Sequence, residues 1–177
     1  MTEGLRAAAR TAPLFFAITE FVGTVAPVQG RSMQPTLNNG ATQDAVLIDR
    51  LFAHSYSRGD LVVLHSPTDP AEMVLKRVVA MGGDWVRRRD QDQQFVHVPT
   101  GYVWVEGDNE RFSNDSNAYG PVPAGLVNAR VVCKVWPLRE AGRIGRVEAP
   151  RWRTIQSGGR TRPTEHWSRS WWGDGGS

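Results

Sequence analysis

A serine and a lysine in different surroundings are the first candidates for chemistry in this chain. Ser32 lies in the run Gly30-Arg31-Ser32-Met33-Gln34-Pro35-Thr36-Leu37, and Lys76 lies in the apolar run Met73–Met81. A serine hydroxyl becomes a nucleophile when a neighbouring base takes its proton, and a neutral, buried lysine can be that base. Only two of the 21 basic residues are lysines, Lys76 and Lys134. We therefore interpret Ser32 and Lys76 as a candidate nucleophile and general base.

The setting of Lys76 decides whether this chemistry is available. An exposed lysine has a pKa near 10.4, so roughly one amine in a thousand is neutral at neutral pH, whereas apolar neighbours lower that pKa. A strand over the run would place Lys76 on one face and Arg77 on the other. We expect Val74, Val78 and Ala80 on the first face, and Leu75, Val79 and Met81 on the second. The alternatives are an edge lysine that reaches water and a Ser32 that only caps a turn.

A dense polar loop follows the apolar run Tyr102–Glu106. It extends from Gly107 to Val122 and includes Asp108-Asn109 and Ser113-Asn114-Asp115-Ser116-Asn117. So many donors and acceptors must either satisfy one another on burial or lie in solvent. The loop lacks the glycine and the flanking helices of a calcium-binding loop, so we predict no metal site.

Short runs of β-branched and aromatic residues, separated by turn residues, must position these side chains. We predict strands at Ala45–Asp49, Leu61–His65, Met73–Met81, Phe95–Val98, Tyr102–Glu106 and Arg130–Trp136. No helical period follows Val28. The predicted fold class is therefore mainly β, with one irregular antiparallel catalytic domain over residues 29–138.

An apolar stretch from Thr11 to Val28, interrupted by two prolines and Glu20, precedes the serine motif. As a helix it would span roughly 27 Å, close to the thickness of about 30 Å of a hydrocarbon core. We predict that residues 1–28 hold a single membrane-anchoring helix. Arg6 and Arg10 before it favour an N-inside, C-outside orientation. A cleaved signal peptide or an amphipathic surface helix is the alternative.

The C-terminal segment, residues 139–177, differs from the rest of the chain. It carries eight arginines and four of the seven tryptophans with little alternation, which predicts a disordered tail. A basic, aromatic segment that touches lipid headgroups or nucleic acid is the alternative, but no nucleic-acid-binding motif supports a nucleic-acid partner.

The single cysteine, Cys133, excludes an internal disulfide framework, and its apolar run indicates a core thiol.

Three motifs in a fixed order resemble the type I signal peptidases. They are Ser32-Met33-x-Pro35-Thr36-Leu37, then Lys76-Arg77-Val78-x-Ala80-x-x-Gly83-Asp84, then Gly107-Asp108-Asn109 with Ser113-x-Asp115-Ser116 and Gly120-Pro121-Val122. The likeness extends from about Val28 to Leu138. It is strongest to the mitochondrial branch of the family, because asparagine stands at position 117 where most relatives have arginine. The resemblance implies a membrane-anchored Ser/Lys endopeptidase with a mostly β fold.

The resemblance also implies a role for each matched residue. Ser32 is the expected nucleophile, Lys76 the general base, and Ser113 the hydroxyl that orients the lysine amine. Four further residues are expected to support the site: Asp108, Asn109, Asp115 and Ser116. The main-chain N–H of Ser32 would donate to the oxyanion, whereas Gly30 replaces a serine that supplies a second donor in some relatives. Asn117 removes a charge that would pair with Asp115. No cofactor is implied.

Function follows from the same resemblance as an expectation. The chain would remove sorting or signal peptides from mitochondrial precursors delivered to the intermembrane space. It would be a single-pass protein of the mitochondrial inner membrane, with its catalytic domain facing that space. The expected partners are precursor proteins, the lipid bilayer and a second catalytic subunit of a hetero-oligomeric peptidase complex.

Other functions remain open. Gly30 and Asn117 would also fit a catalytically weak subunit that stabilises such a complex. A bacterial or thylakoid signal peptidase would fit the composition. A self-cleaving Ser/Lys regulator is less favoured, because no DNA-binding helix pair precedes the serine motif. A Ser-His-Asp hydrolase is also less favoured, because the four histidines have no recognisable triad context.

Overall fold

The computed structural model describes residues 23–89 and 94–157. Strands dominate this part of the chain: β1 (Thr24–Pro27), β2 (Ala45–Asp49), β3 (Leu61–His65), β4 (Met73–Met81), β5 (Trp85–Arg87), β6 (Phe95–His97), β7 (Tyr102–Glu106), β8 (Val122–Pro123), β9 (Val127–Trp136), β10 (Gly142–Arg143) and β11 (Thr154–Ile155). A short α-helix, α1 (Ser116–Tyr119), and 3₁₀ turns at Glu110–Phe112, Ala124–Leu126 and Leu138–Glu140 accompany them.

The strands form two antiparallel sheets. The larger sheet has the order β1-β2-β9-β3-β4-β7-β8, with β10 beside β9, and the smaller has the order β11-β5-β6. The prediction of a mainly β, antiparallel domain is confirmed. Strands β2, β3, β4 and β7 have the predicted bounds, whereas β9 begins earlier, at Val127. β4 pairs with β3 on one side and with β7 on the other; Lys76 pairs with Val62 of β3, one residue before the pairing with β7 begins at Arg77. With 3% of its surface exposed, Lys76 is not an edge lysine that reaches water.

A bulge in β4 changes which residues share a face. Val78 pairs with Val105 and Ala80 pairs with Trp104, so Val79 has no partner of its own on β7. An extra residue in one strand reverses the alternation beyond it. Met81, and not Ala80, therefore packs in the cluster that holds Val78. The predicted placement of Ala80 and Met81 is wrong for this reason.

Three apolar clusters make up the core. One lies between β3, β4 and β7, and one lies between the two sheets around Trp104. The remaining cluster lies beneath the serine motif, where Met33 and Leu37 pack against β2, β3 and β9. Both side chains are at most 2% exposed. The apolar residues of the motif therefore hold the turn that carries Ser32 against the sheet.

The end of the predicted anchor belongs to the sheet. Thr24–Pro27 forms β1 and pairs with Ala45–Ile48 of β2, so these residues are not the last turn of a helix that ends at Val28. Most of the predicted anchor, residues 1–22, lies outside the described residues. Within the described ranges, no helix has the length and apolar character needed to cross a membrane.

The first part of the predicted disordered tail is ordered. β10 pairs with β9, and β11 pairs with β5 of the smaller sheet. Two arginines of this segment also reach carboxylates of the domain: Arg146 contacts Asp60, and Arg153 contacts Glu106. These long-range pairings outweigh the low apolar content on which the prediction of disorder rested. Residues 158–177 lie outside the described part of the chain.

The C-terminal segment passes close to Gly59, and this contact is testable. Gly59 has a φ of 86°, and a Cβ there would lie 3.1 Å from main-chain atoms of Val147. Replacing Gly59 with alanine should lower the free energy of unfolding by about 1–3 kcal/mol, because both the backbone conformation and the contact oppose a side chain. Urea denaturation measures the change.

Gly125→Ala is the matched control, because a Cβ at Gly125 meets nothing within 4 Å. Its free energy of unfolding should stay within about 0.5 kcal/mol of the wild-type value. Equal stability of the two variants would show that the segment does not pack on Gly59 in solution.

Candidate active site

One cleft of about 600 Å³ brings Ser32 and Lys76 to a common surface. Its walls combine apolar side chains from β2, β3 and β4 with residues of the serine motif and of the polar loop. Phe112 and Met73, both on its wall, are exposed apolar residues. Among the residues that the structure describes, no histidine lines this cleft.

The turn that carries Ser32 is fixed through its main chain. The Leu37 N–H donates to the Met33 carbonyl at 2.9 Å, and the Asn109 N–H donates to the Ser32 carbonyl at 2.9 Å. Asn38 anchors the start of the turn, because its amide donates to the carbonyls of Val28 and Gly30. The backbone N–H of Asn109 thus helps to hold the turn that carries Ser32.

Lys76 is buried, with 3% of its surface exposed, and its Nζ donates to Ser113 Oγ at 3.0 Å. Loss of solvent lowers the pKa of Lys76, while the charges of Asp115 and Glu72 act in the opposite direction. The burial effect prevails. The burial therefore shifts the equilibrium toward the neutral amine, which is the form that can take a proton from a hydroxyl.

The Ser113 hydroxyl has several partners. It accepts from Lys76 Nζ and, at 3.1 Å, from the Gly107 N–H. A serine hydroxyl accepts twice and donates once, so its own hydrogen remains for a third partner. That partner is Asp115, since the Ser113 hydroxyl is among the donors that stabilise this carboxylate. Ser113 therefore holds the lysine amine without occupying its lone pair.

Asp108 connects the serine motif to the lysine strand. Its carboxylate accepts two hydrogen bonds from the Arg77 guanidinium, at 2.7 and 2.5 Å, and one from the Thr36 hydroxyl at 2.5 Å. Arg77 also donates to the Gly59 carbonyl. Sequence reasoning missed Arg77 and Thr36 as supporting residues. Strand alternation was the available signal, because an arginine inside a sheet needs a carboxylate partner.

Asp115 and Ser116 organise the loop that carries Ser113. Asp115 caps helix α1 and accepts from the Gly107 N–H at 2.9 Å and from Asn117. Burial alone would raise the pKa of Asp115, but hydrogen bonds from Gly107, Asn117 and Ser113 outweigh it and hold the pKa below its usual value. The Ser116 hydroxyl accepts from the Val105 N–H at 3.0 Å. Both contacts tie the loop to the end of β7.

A cation from elsewhere in the chain compensates for the missing charge at Asn117. The Arg89 guanidinium lies 3.7 Å from Asp115 and 2.8 Å from Glu106. Asn117 accepts from the Arg89 main-chain N–H and donates to both carboxylates. Sequence reasoning missed Arg89 and Glu106. A glutamate that ends a buried strand was the signal, since a buried carboxylate requires partners.

Gly30 has a φ of 79°, in the left-handed region. A serine at this position would be strained, so the absence of a side-chain oxyanion donor here has a backbone cause. The main-chain N–H groups of the turn are then the available donors on this side of the cleft.

Comparisons of the sequence with known proteins identify its family and several relatives. The model of the family "Signal peptidase, peptidase S26" matches residues 1–96 and 89–136. Mitochondrial inner membrane protease subunit 2 of Mus musculus is 39% identical over 150 residues, which covers 82% of this chain and 86% of the relative. Subunit 2 of Schizosaccharomyces pombe is 40% identical over 136 residues, with 75% of each chain covered.

Subunit 1 of the same protease is similar to a comparable degree. The Mus musculus protein is 41% identical over 128 residues, covering 70% of this chain and 75% of the relative. The predicted resemblance to the mitochondrial branch is confirmed, and the relatives include both subunit 1 and subunit 2.

Gly107 allows the elements of the site to meet. A Cβ at this position would lie 2.6 Å from the Ser32 carbonyl oxygen and would also meet the Ser113 side chain. Gly107→Ala should therefore displace Ser113 and the serine motif from one another. We expect the rate of peptide-bond cleavage to fall about a hundredfold or more, because small misplacements of catalytic groups have effects of this size.

Gly145→Ala provides the control for this variant, since a Cβ at Gly145 meets nothing within 4 Å. Circular dichroism checks that both variants are folded. A folded Gly107→Ala protein with the wild-type rate would contradict the described geometry.

Proposed function

Because the chain belongs to the signal peptidase family, peptidase S26, and is therefore a serine peptidase, we propose that it cuts precursor proteins with Ser32 as nucleophile and Lys76 as general base. The observation that carries this assignment is the burial of Lys76 in the cleft that Ser32 also lines. The hydrogen bond from Lys76 to Ser113 supports it further.

The proposed reaction has two halves. Neutral Lys76 takes the Ser32 proton as Ser32 Oγ attacks the scissile carbonyl carbon. The carbon–nitrogen bond then breaks, and the Lys76 ammonium returns the proton to the leaving amine, which leaves an acyl group on Ser32. A water molecule attacks this ester, gives its proton to Lys76, and the proton passes back to Ser32 Oγ as the acid product departs.

Four residues support the reaction without reacting themselves. Ser113 directs the lysine amine, and Asp115 takes the hydrogen of the Ser113 hydroxyl. Asp108 joins the serine motif to β4, and Ser116 anchors the loop to β7. The Ser32 N–H is the proposed oxyanion donor. The roles predicted for these residues are compatible with their contacts.

The substrates we propose are precursors whose sorting or signal peptides end near a membrane. The relatives are named for the mitochondrial inner membrane, which supports that location. We further propose that the catalytic domain faces the intermembrane space. β1 begins at Thr24, so a membrane anchor in the preceding residues would hold Ser32 within roughly 30 Å of the lipid surface. This distance favours cleavage close to the bilayer.

The relatives are also named as subunits 1 and 2, and this naming supports a hetero-oligomeric complex. The second candidate function is that of a catalytically weak subunit that stabilises its partner. Gly30 is the observation that favours it, because no side chain at this position can donate to the oxyanion.

Substitution of the two proposed catalytic residues separates these functions. Purified protein, alone and with a partner subunit, is incubated in detergent with an inner-membrane precursor, and mass spectrometry identifies the new N-terminus. Ser32→Ala and Lys76→Ala should each lose the discrete cut, since each removes one half of the proton transfer. The loss should be at least about a thousandfold in rate.

Lys134→Arg is the matched control, because it changes the other lysine but preserves its charge. It should cleave at the wild-type rate. Equal cleavage by all four proteins in the complex would assign the activity to the partner and this chain to a stabilising role.

A further inference from the structure

Glu106 is the most deeply buried acidic residue next to the site, with 1% of its surface exposed. Two arginines contact its carboxylate. Arg153 donates to Oε2 at 2.8 Å and also contacts Oε1, and Arg89 lies 2.8 Å from Oε2. Trp104 Nε1 and Asn117 Nδ2 donate to Oε1 at 2.7 and 3.0 Å. The carboxylate is therefore fully paired, by residues from distant parts of the chain.

A continuous set of contacts leads from this carboxylate to the proposed base. Arg89 bridges Glu106 and Asp115, and it donates to the Gly107 carbonyl at 3.2 Å. Asp115 in turn accepts from the Gly107 N–H, which also donates to Ser113 Oγ. Ser113 holds Lys76. A change at Arg153 can therefore reach Lys76 through direct contacts.

The ion pairs of this cluster balance, and Arg88 lies beside them, with its guanidinium donating to the Asn117 carbonyl. Glu106 and Asp115 carry two negative charges, and Arg89 and Arg153 carry two positive charges. Asp115 and Glu72 are the carboxylates whose fields reach Lys76, and Arg77 on the same strand is paired with Asp108. Removing one arginine would leave a net negative charge in this buried cluster, which reaches Lys76 through Ser113. Such a charge stabilises the protonated amine.

We propose that Arg153 is a positioning residue, through which the C-terminal segment balances the charge of the Glu106, Arg89 and Asp115 cluster that reaches Lys76 through Ser113. The segment lies beyond residue 136, where the match to the family model ends. The inference rests on the proposed function, because it assigns a purpose to the neutral state of Lys76. Residues 139–157 would then belong to the peptidase domain and influence its active site through Arg153.

A purely structural role makes a different prediction. If Arg153 only satisfied the buried charge of Glu106, its loss would reduce stability and lower the rate equally at every pH. If it controls the base, its loss should move the acidic limb of the pH profile of kcat/KM, because that limb reports the protonation of the free enzyme's base. The pH profile therefore distinguishes the two roles.

The experiment measures kcat/KM against pH for cleavage of an inner-membrane precursor by the full chain with its partner subunit. Arg153→Gln leaves the cluster with an extra negative charge, and Glu106→Gln leaves it with an extra positive charge. The double variant restores the balance. Arg146→Gln is the matched control, because Arg146 is on the same segment and pairs with Asp60, but its side chain is 58% exposed.

We expect Arg153→Gln to move the acidic limb to higher pH and Glu106→Gln to move it to lower pH. Each unit of displacement upward lowers kcat/KM at neutral pH about tenfold, with recovery in alkaline solution. The double variant and Arg146→Gln should have the wild-type limb. If Arg153→Gln does not fold, the Glu106→Gln variant distinguishes the two roles. A shift of its acidic limb to lower pH supports control of the base, because a purely structural role leaves the limb of the pH profile where it is.

Coincident limbs for the folded variants and the wild type would overturn the inference, even if the rates differ. Failure of the proposed function itself has a separate signature. Ser32→Ala, assayed in parallel, would then cleave at the wild-type rate.

Discussion

The exclusion of water from one lysine amine is the constraint on which the rest of this site depends. Each unit by which the pKa of Lys76 falls costs about 1.4 kcal/mol relative to a solvated ammonium. A central strand contributes to the burial, because β4 pairs with β3 at Lys76 and with β7 from Arg77 onward. Other charged side chains around the site form ion pairs, Arg77 with Asp108, and Arg89 and Arg153 with the Glu106–Asp115 pair, whereas Asp115 and Glu72 still act to raise the pKa of Lys76.

Gly107 contacts both the serine motif and the polar loop. Its N–H donates to both Ser113 and Asp115, and it lies against the carbonyl of Ser32. A short distance between backbone and side chains here brings the proposed nucleophile and the residue that holds the proposed base to the same strand end. The polar loop is consequently a scaffold whose hydrogen bonds are directed inward, which explains its density of short polar side chains.

The sequence allowed the sheet and the dyad to be predicted, but not the charges that surround the dyad. β2, β3, β4 and β7 were predictable because each is an apolar run bounded by turn residues. Ser113 was identified through motif resemblance. The bulge at Val79 and the pairing of β11 with β5 depend on partners far along the chain, which local patterns do not encode. Arg89 and Arg153 were missed for the same reason, and residues 139–157 were wrongly predicted to be disordered.

The two lysines of the chain offer the most direct test of the neutral base. Lysine labelled with ¹⁵N would give two side-chain signals, assigned with Lys134→Arg and followed by NMR through alkaline pH. Burial lowers the pKa of Lys134, but its contacts with Asp44 and Glu140 prevail and raise it above 10.5. The account predicts that Lys76 titrates below 10.5 and Lys134 above it. Titration of Lys76 at or above 10.5 would contradict the account.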